Sequence, residues 1–301
     1  MIRVLVVDDS PILRRVLSEA LREAPDIEVV ATAINGKFGV AKAKSLKPDV
    51  ITMDVEMPQM NGLEALEAIM SEAPTPVVMV SSLTTRGAVK TIEALERGAV
   101  DYVAKPTGDP RRVASISEEL IAKVRAAAGA RVRRRPLGGH AEPDACRAAE
   151  APASPSEGRK REFSGEVDLI AIGASTGGVT ALHEMFASLP DSLPPIVITQ
   201  HMPPTFTKSF ADRLNDVSRP AVCEARDDML LEAGHAYVAP GDRHMTVVGH
   251  AGHLRVRLND GEKVSGHRPS VDALFNSIDT RLAPRTLGVI LTGMGADGAK
   301  G

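Results

Sequence analysis

The sequence predicts an α/β protein made of two doubly wound domains, each built on a mostly parallel sheet. Short apolar runs such as residues 2–7 alternate with amphipathic stretches of helical length, as strands buried on both faces of a parallel sheet do. The alternation stops across residues 129–164, which are rich in Pro, Ala, Ser and Gly, and it resumes at Val167. The 301 residues are also enough for two domains of ordinary size.

The first half has five strand-like runs, each followed by a helical pattern. The first helix is expected to begin near Pro11, a residue that helices accept in their first turn. The last is expected to run from about Val113 to Ala128. Five such pairs predict a flavodoxin-like (βα)5 domain. The strands are expected at residues 2–7, 27–33, 50–53, 76–80 and 100–103.

The second half repeats the α/β pattern and adds a different element. Residues 235–259 contain short alternating runs separated by Gly-containing turns, which predicts an antiparallel hairpin element attached to the parallel sheet. We therefore expect a domain over residues 1–126, a flexible linker over 127–164 and a second domain over 165–301. Strands are expected at 167–172, 195–199, 221–225 and 287–292, and helices near 178–188, 205–215 and 270–282.

Composition narrows the class of protein. The net charge of -3 provides no cationic field to attract nucleic acid. The two cysteines lack metal-ligand spacing and the pattern of a disulfide framework. No apolar run approaches the length of a membrane span, and the amino terminus lacks the layout of a signal peptide, so a cytoplasmic protein is expected. Arg131–Arg135 is interpreted as a solvated helix end, with an acidic partner as the alternative.

Acidic residues mark the first candidate site. Asp8, Asp9 and Asp54 each lie at the carboxyl end of a predicted strand, where ligands of open parallel sheets bind. Clustered carboxylates favour a hard divalent cation, and Mg2+ fits a site completed by water and phosphate oxygens. Ser81 and Lys105 end the next two strands, and their side chains suit phosphoryl transfer to a carboxylate. Taken singly, Asp9 could instead cap a helix and Asp54 could be an ordinary loop acid.

The second candidate site begins with the stretch GASTG after a predicted strand. This stretch matches the G-x-S-x-G nucleophile elbow and exposes Ser175, although a serine in such a turn is also found in phosphate loops and helix caps. His201 and Asp297 follow two other predicted strands, so base and orienting acid would reach the same edge. The chain order Ser, His, Asp differs from the Ser, acid, His order of α/β-hydrolases.

Two other functions are weighed against hydrolysis. The stretch GMGADG spells the dinucleotide fingerprint and would indicate an oxidoreductase, but it lies late in the chain and lacks the acid expected about 20 residues later. A DNA-binding output domain would need a helix-turn-helix pattern, which the sequence does not contain.

The first half resembles the receiver domains of response regulators, through the stretches VVDDS, MDVEMPQMNG, MVSS and DYVAKP. The resemblance implies that Asp54 accepts a phosphoryl group from a histidine kinase. It also implies that Asp9, Asp54 and the backbone carbonyl of Glu56 bind Mg2+, with Asp8 in support. Ser81 and Lys105 would sense the phosphoryl group, Tyr102 would be the aromatic switch, and Lys105–Pro106 would be a cis peptide bond.

The second half resembles the catalytic domain of chemotaxis methylesterases of the CheB family. The matching stretches include IAIGASTGG, ITQHMPPTFTKSFADRLN, SGHRPSVDALFNS and VILTGMGADGAKG. The family removes methyl groups from glutamate methyl esters of chemoreceptors, and many members deamidate receptor glutamines. The resemblance implies that Ser175 is the nucleophile, His201 the base and Asp297 its orienting acid. Thr176 would lie beside the nucleophile, and the N–H group of Met294 would help form the oxyanion hole.

The resemblance also sets expectations for the whole chain. The partners would be methyl-accepting chemoreceptors as substrate and a chemotaxis histidine kinase as phosphodonor, without nucleic acid or direct membrane insertion. No cofactor is expected in the catalytic domain. The family's catalytic domain continues for several dozen residues past the position of Gly301, so residues 165–301 are expected to be an incomplete copy, and a catalytically inactive regulatory module is the alternative.

Overall fold

The computed structural model describes residues 1–105, 110–130, 132, 167–293 and 295–301. The predicted Lys105–Pro106 cis bond, Met294 and nearly all of the predicted linker lie outside these residues. In the described part of the chain, no helix is both long enough and apolar enough to cross a membrane.

The first domain is a five-stranded parallel sheet in the order β2-β1-β3-β4-β5, as the flavodoxin-like prediction requires. Local sequence explains where its helices begin. Ser10 caps α1 and Pro11 follows it, while Asn61 and Glu64 form a capping box on α3. The elements are β1 Ile2–Val7, α1 Pro11–Arg22, β2 Ile27–Ala33, α2 Gly36–Leu46, β3 Val50–Asp54, α3 Gly62–Glu72, β4 Val77–Ser81, α4 Thr85–Glu96, β5 Asp101–Ala104 and α5 Pro110–Ala128.

The second domain is a separate parallel sheet in the order β12-β6-β7-β9-β8. Helices α6 and α7 pack on one face, and a hairpin of β10 and β11 with helix α8 packs on the other. The elements are β6 Leu169–Ala174, α6 Gly178–Phe186, β7 Ile196–Gln200, α7 Pro204–Val217, β8 Ala221–Glu224, β9 His235–Val238, β10 His244–His250, β11 His253–Asn259, α8 Val271–Asn276 and β12 Thr286–Ile290.

Two predicted elements of the second domain differ in the structure. Residues 236–240 (AYVAP), which were expected to belong to the hairpin element, are not part of it. They include most of β9, which lies between β7 and β8 in the parallel sheet and is buried at its last three residues. The helix expected near residues 270–282 ends at Asn276, and a short 3-10 turn follows at Ala283–Arg285. The hairpin itself is confirmed as an antiparallel pair, and it contacts the sheet through apolar side chains such as Val247 and Val256.

The two domains pack against each other through α4 and β5 of the first and α6 and α7 of the second. The rings of Tyr102 and Phe206 stack with their centroids 4.7 Å apart, and both side chains are buried. Around them the apolar core continues from one domain into the other. At the edge of the contact, Glu96 approaches His183 at 3.7 Å and Arg213 at 3.6 Å. Because α7 begins three residues after His201, this contact adjoins the second candidate site.

Candidate active sites

The predicted acidic cluster forms at the carboxyl edge of the first sheet. Carboxylate oxygens of Asp8, Asp9 and Asp54 all lie within 4.8 Å of one another. Asp8 and Asp54 are buried and Asp9 is exposed, so the cluster opens to solvent on one side. The peptide N–H of Glu56 donates to Asp54 Oδ1 at 3.2 Å, which places the backbone of Glu56 beside the cluster.

The electrostatics of this cluster suit a divalent cation. Burial is the main reason that the pKa of Asp8 is raised to about 6. The nearby charge of Asp54 also raises this pKa, and its effect is larger than the lowering effect of Lys105. Burial also raises the pKa of Asp54, against the lowering effect of Lys105. The Oδ2 atom of Asp8 is buried and accepts no hydrogen bond from the described residues. A cation with oxygen ligands would satisfy this atom and relieve the repulsion.

Lys105 and Ser81 reach the same edge, as the sequence predicts. Lys105 Nζ lies 2.7 Å from Asp54 Oδ2 and 3.7 Å from Asp8 Oδ2. Ser81 is buried, and its hydroxyl donates to the carbonyl oxygen of Gly87 at 3.3 Å, so it is tied to the start of α4. The predicted switch residue Tyr102 lies in β5. Its ring stacks on Phe206 of the second domain and does not contact the acidic cluster.

The second site is built on the turn between β6 and α6. Ser175 follows the last residue of β6, and its N–H donates to the carbonyl oxygen of Thr292 at 3.1 Å. The turn passes through Gly177, whose φ of 75° lies in the left-handed region that favours glycine. Gly178 then starts α6, with its N–H donating to the carbonyl oxygen of Ser175 at 2.8 Å. Ser175 is half-buried in this turn and lines a cavity of about 100 Å3.

His201 and Asp297 meet Ser175 at this edge. His201 Nδ1 lies 3.1 Å from Ser175 Oγ, and His201 Nε2 lies 2.7 Å from Asp297 Oδ2. A carboxylate only accepts hydrogen bonds, so the proton of a neutral ring belongs on Nε2, and Nδ1 is left to accept the serine proton. Three residues separated by up to 122 positions in sequence thus form a relay like that of a serine hydrolase.

Asp297 is anchored at the start of α8. Its carboxylate accepts hydrogen bonds from Ser270 Oγ at 2.6 Å and from the N–H groups of Val271 and Asp272 at 2.7 and 3.0 Å. Burial favours a raised pKa for Asp297, but the bonds from His201, Ser270 and the two peptides outweigh it and hold this pKa well below its usual range. Asp297 is therefore an anion with a fixed orientation.

Sequence reasoning assigned no role to two side chains that the structure places here. The ring of His267 stacks on His201 with centroids 3.7 Å apart, and burial, followed by the proximity of His201, lowers the pKa of His267. Gln200 is buried beneath the elbow and donates to the carbonyl oxygen of Ser175 at 3.0 Å. Its position directly before His201, at the end of a buried strand, was the available signal. Thr176, predicted to lie beside the nucleophile, is in the turn directly after Ser175, and Met294, whose N–H group was predicted to help form the oxyanion hole, lies outside the described residues.

Comparison with known proteins agrees with this architecture. A family model described as CheB methylesterase matches residues 170–301, and one described as response regulator receiver domain matches residues 4–117. A protein-glutamate methylesterase/protein-glutamine glutaminase of Caulobacter vibrioides is 51% identical over 301 residues, which is all of this chain and 83% of the relative.

Proteins with the same name from Sulfurimonas denitrificans and Salmonella typhi are 47% and 45% identical. Both alignments cover 100% of this chain, and they cover 84% and 82% of the respective relatives. These alignments span both the receiver and the second domain. The chain therefore belongs to the family of CheB methylesterases that carry a response regulator receiver domain.

Proposed function

We propose that the chain hydrolyses glutamate methyl esters on methyl-accepting chemoreceptors, with Ser175 as nucleophile. The observation that carries this proposal is the continuous hydrogen-bonded path from Ser175 Oγ through His201 to Asp297, with distances of 3.1 and 2.7 Å. The names of the relatives, protein-glutamate methylesterase/protein-glutamine glutaminase, supply the substrate class.

The chemistry is acyl transfer in two steps. Ser175 Oγ attacks the γ-carbonyl carbon of the ester while His201 Nδ1 takes its proton, and the ionised Asp297 stabilises the resulting imidazolium. Collapse of the tetrahedral intermediate expels methanol, which takes the proton from His201. Water then attacks the glutamyl-enzyme with His201 again as base, releasing the carboxylate and restoring the Ser175 hydroxyl. With a glutamine side chain the same steps release ammonia, which is the deamidation that the relatives' names include.

Methanol release from methylated receptor tests the assignment of the nucleophile. Ser175→Ala is expected to reduce the rate to background. Ser188→Ala is a matched control, because Ser188 is an exposed residue just after α6 whose hydroxyl donates only to the carbonyl oxygen of Met185 at the end of that helix. Methanol release that persists in Ser175→Ala would overturn the assignment, and equal loss in both variants would point to a folding defect.

In the receiver domain, Asp54 would accept a phosphoryl group from a histidine kinase. Asp8, Asp9 and Asp54, with the backbone carbonyl of Glu56, would hold Mg2+, which would neutralise charge on the transferred phosphoryl group. Lys105 Nζ, 2.7 Å from Asp54 Oδ2, is placed to pair with the phosphorylated side chain. Ser81 would hydrogen-bond to a phosphoryl oxygen. Incubation with acetyl phosphate should add one phosphoryl group by mass in the wild type and none in Asp54→Asn.

The contact between the domains would connect the two sites. We include in the proposal that the unphosphorylated receiver holds its α4–β5 face on α6 and α7 and hinders access of receptor helices to Ser175. Movement of Ser81 and Tyr102 toward a phosphorylated Asp54 would weaken the stacking of Tyr102 on Phe206. A tenfold activation needs only about 1.4 kcal/mol of difference between the two states. Residues 1–126 would then be the regulatory domain, 127–164 the linker and 165–301 the catalytic domain.

A further inference from the structure

Gln200 occupies an unusual position beneath the nucleophile. It is the last residue of β7, only 3% of its surface is exposed, and its side chain lies on the sheet face that α6 covers. The Nε2 atom donates to the carbonyl oxygen of Ser175 at 3.0 Å and, more weakly, to that of His201 at 3.4 Å. One amide group thus joins the backbones of the predicted nucleophile and base.

The orientation of this amide is fixed by its surroundings. Two carbonyl oxygens face the same side-chain atom, and only the NH2 group can donate to both, so the flipped amide would set three oxygens against one another. The Oε1 atom then points toward the start of α6. A Cβ atom on Gly178 would lie 2.2 Å from Oε1, so glycine at this position is what leaves room for Gln200. Among the described residues, Oε1 has no hydrogen-bond partner.

The Ser175 carbonyl also determines where the next N–H group points. In a planar trans peptide, the C=O of Ser175 and the N–H of Thr176 point in opposite directions. Since this carbonyl is held toward Gln200 and the N–H of Gly178, the N–H of Thr176 points away from them. Within the described part of the chain, no acceptor is recorded for the Thr176 N–H, which leaves it available to an oxyanion. In nucleophile elbows, the N–H after the nucleophile is an oxyanion-hole donor.

We propose that Gln200 is a positioning residue for acyl transfer, whose side-chain amide fixes the Ser175–Thr176 peptide so that the Thr176 N–H faces the developing oxyanion. The same hydrogen bond to the Ser175 carbonyl links the end of β7 to the residue that follows β6. Gln200 itself does not touch the reacting atoms. The inference rests on the proposed role of Ser175 as nucleophile but not on the identity of the ester.

A fluorophosphonate probe tests this role without a receptor substrate. Ser175 Oγ attacks the phosphorus, fluoride leaves, the serine proton passes to His201, and the phosphoryl oxygen takes the place of the oxyanion. Gln200→Met keeps the length of the side chain and removes the donor. The maximal labelling rate of Ser175 should fall by about tenfold or more, with the half-saturating probe concentration changed less than about twofold. Gln200→Leu, which also removes the amide donor and has a similar size, should show the same loss and serves if Gln200→Met does not fold.

Asn215→Ala is the matched control. The Asn215 side chain also makes a hydrogen bond to the backbone, accepting from the N–H of Val222, but it lies at the end of α7 that is far from Ser175. Its labelling rate should equal that of the wild type. An unchanged rate in a folded Gln200→Met chain, checked by thermal unfolding, would overturn the proposal. So would a wild type in which Ser175 is not labelled. If labelling of Ser175 depends on Gln200 but wild-type chain releases no methanol from methylated receptor, the role of Gln200 stands and the proposed substrate is wrong.

Discussion

At the scale of single residues, the fixed carboxylate of Asp297 determines which nitrogen of a neutral His201 ring carries the proton and which is free to accept one. Asp297 accepts hydrogen bonds from Ser270, Val271 and Asp272 in addition to its contact with His201. Hydrogen bonds of this kind favour the ionised form, and a carboxyl group with a depressed pKa loses its charge only as pH falls through that lower value. The orienting anion should therefore be present throughout the pH range in which the protein is folded.

Replacing this anion by an amide tests its role. Asp297→Asn should lower kcat by about 10³- to 10⁴-fold, because an NH2 group facing Nε2 favours the tautomer that carries its proton on Nδ1. KM should change little. Asp216→Asn changes an exposed carboxylate near the end of α7 and should leave both constants unaltered. A kcat of Asp297→Asn within tenfold of the wild type would contradict the proposed relay.

Proton competition at the acidic cluster gives a second prediction. Because the pKa of Asp8 is raised to about 6, its carboxylate is largely ionised at pH 7.5 and protonated at pH 5. Without metal, protonation of Asp8 increases the free energy of unfolding as pH falls through about 6. A carboxyl group with a depressed pKa has the opposite effect, because its contribution to stability is lost as pH falls. Mg2+ affinity should therefore weaken below pH 6, by up to about tenfold per pH unit for one competing proton.

Calorimetric titration with Mg2+ from pH 7.5 to 5 measures this dependence, and the absence of Trp from the sequence makes calorimetry preferable to intrinsic tryptophan fluorescence. Asp8→Asn should bind Mg2+ more weakly at pH 7.5 and show a flatter pH dependence. A dissociation constant that stays the same from pH 7.5 to 5 in the wild type would exclude Asp8 as a ligand.

At the scale of elements, the start of the short helix α8 holds the Asp297 carboxylate in place through hydrogen bonds from Ser270, Val271 and Asp272. Ser270 is fully buried, caps α8 by accepting from the N–H of Ala273 at 3.2 Å and donates to Asp297 at 2.6 Å. The same hydroxyl group thus stabilises the first turn of α8 and holds the Asp297 carboxylate in position.

Ser270→Ala should separate these two roles. Loss of the cap should cost about 1 kcal/mol in the free energy of unfolding, and misplacement of Asp297 should lower kcat by about tenfold. Asn35→Ala removes the cap of α2 in the receiver, where the side chain accepts from the N–H of Phe38, and should cost stability without lowering kcat. Chemical denaturation and methanol release measure the two effects. Equal kcat values for the two variants would show that Ser270 is only a cap.

The sequence predicted much of the element order because buried parallel strands read as continuous apolar runs. The flavodoxin-like order and the hairpin are confirmed, and the edge shared by Ser175, His201 and Asp297 follows from their positions after strands. The position of β9 in the parallel sheet could not be predicted from sequence. Its four residues, HAYV, are compatible with an edge strand of an antiparallel hairpin as well as with a strand of the parallel sheet. Gln200 and His267 were missed as site residues because a lone buried amide and a stacked ring have no periodic signature.

At the scale of the whole molecule, the contact between the domains is apolar at its centre and charged at its edge. Pairing of residues across this contact depends on tertiary packing, so no sequence pattern identified Phe206 as the neighbour of Tyr102. The ion pair of Glu96 with Arg213, beside the contact of Glu96 with His183, offers a way to weaken the packing of the domains without a cavity in the core.

Charge reversal tests whether this contact restrains the enzyme. Glu96→Lys places like charges opposite Arg213 and should raise the rate of methanol release without phosphodonor several-fold. The swapped pair Glu96→Lys with Arg213→Glu should restore a low rate, which would separate a specific contact from general loosening. Glu72→Lys disturbs only an ion pair with Lys44 inside the receiver and should have no effect. A low rate in Glu96→Lys would argue against restraint by this face.

Control of ester hydrolysis by the receiver is tested most simply by the initial rate of methanol release from methylated receptor, measured with and without acetyl phosphate and Mg2+. The wild-type rate should rise with phosphodonor, Asp54→Asn should keep the lower rate without a rise, and Ser175→Ala should stay at background in both conditions. Stimulation that persists in Asp54→Asn, or release that does not require Ser175, would contradict the claim that a phosphorylated receiver controls a serine hydrolase in this chain.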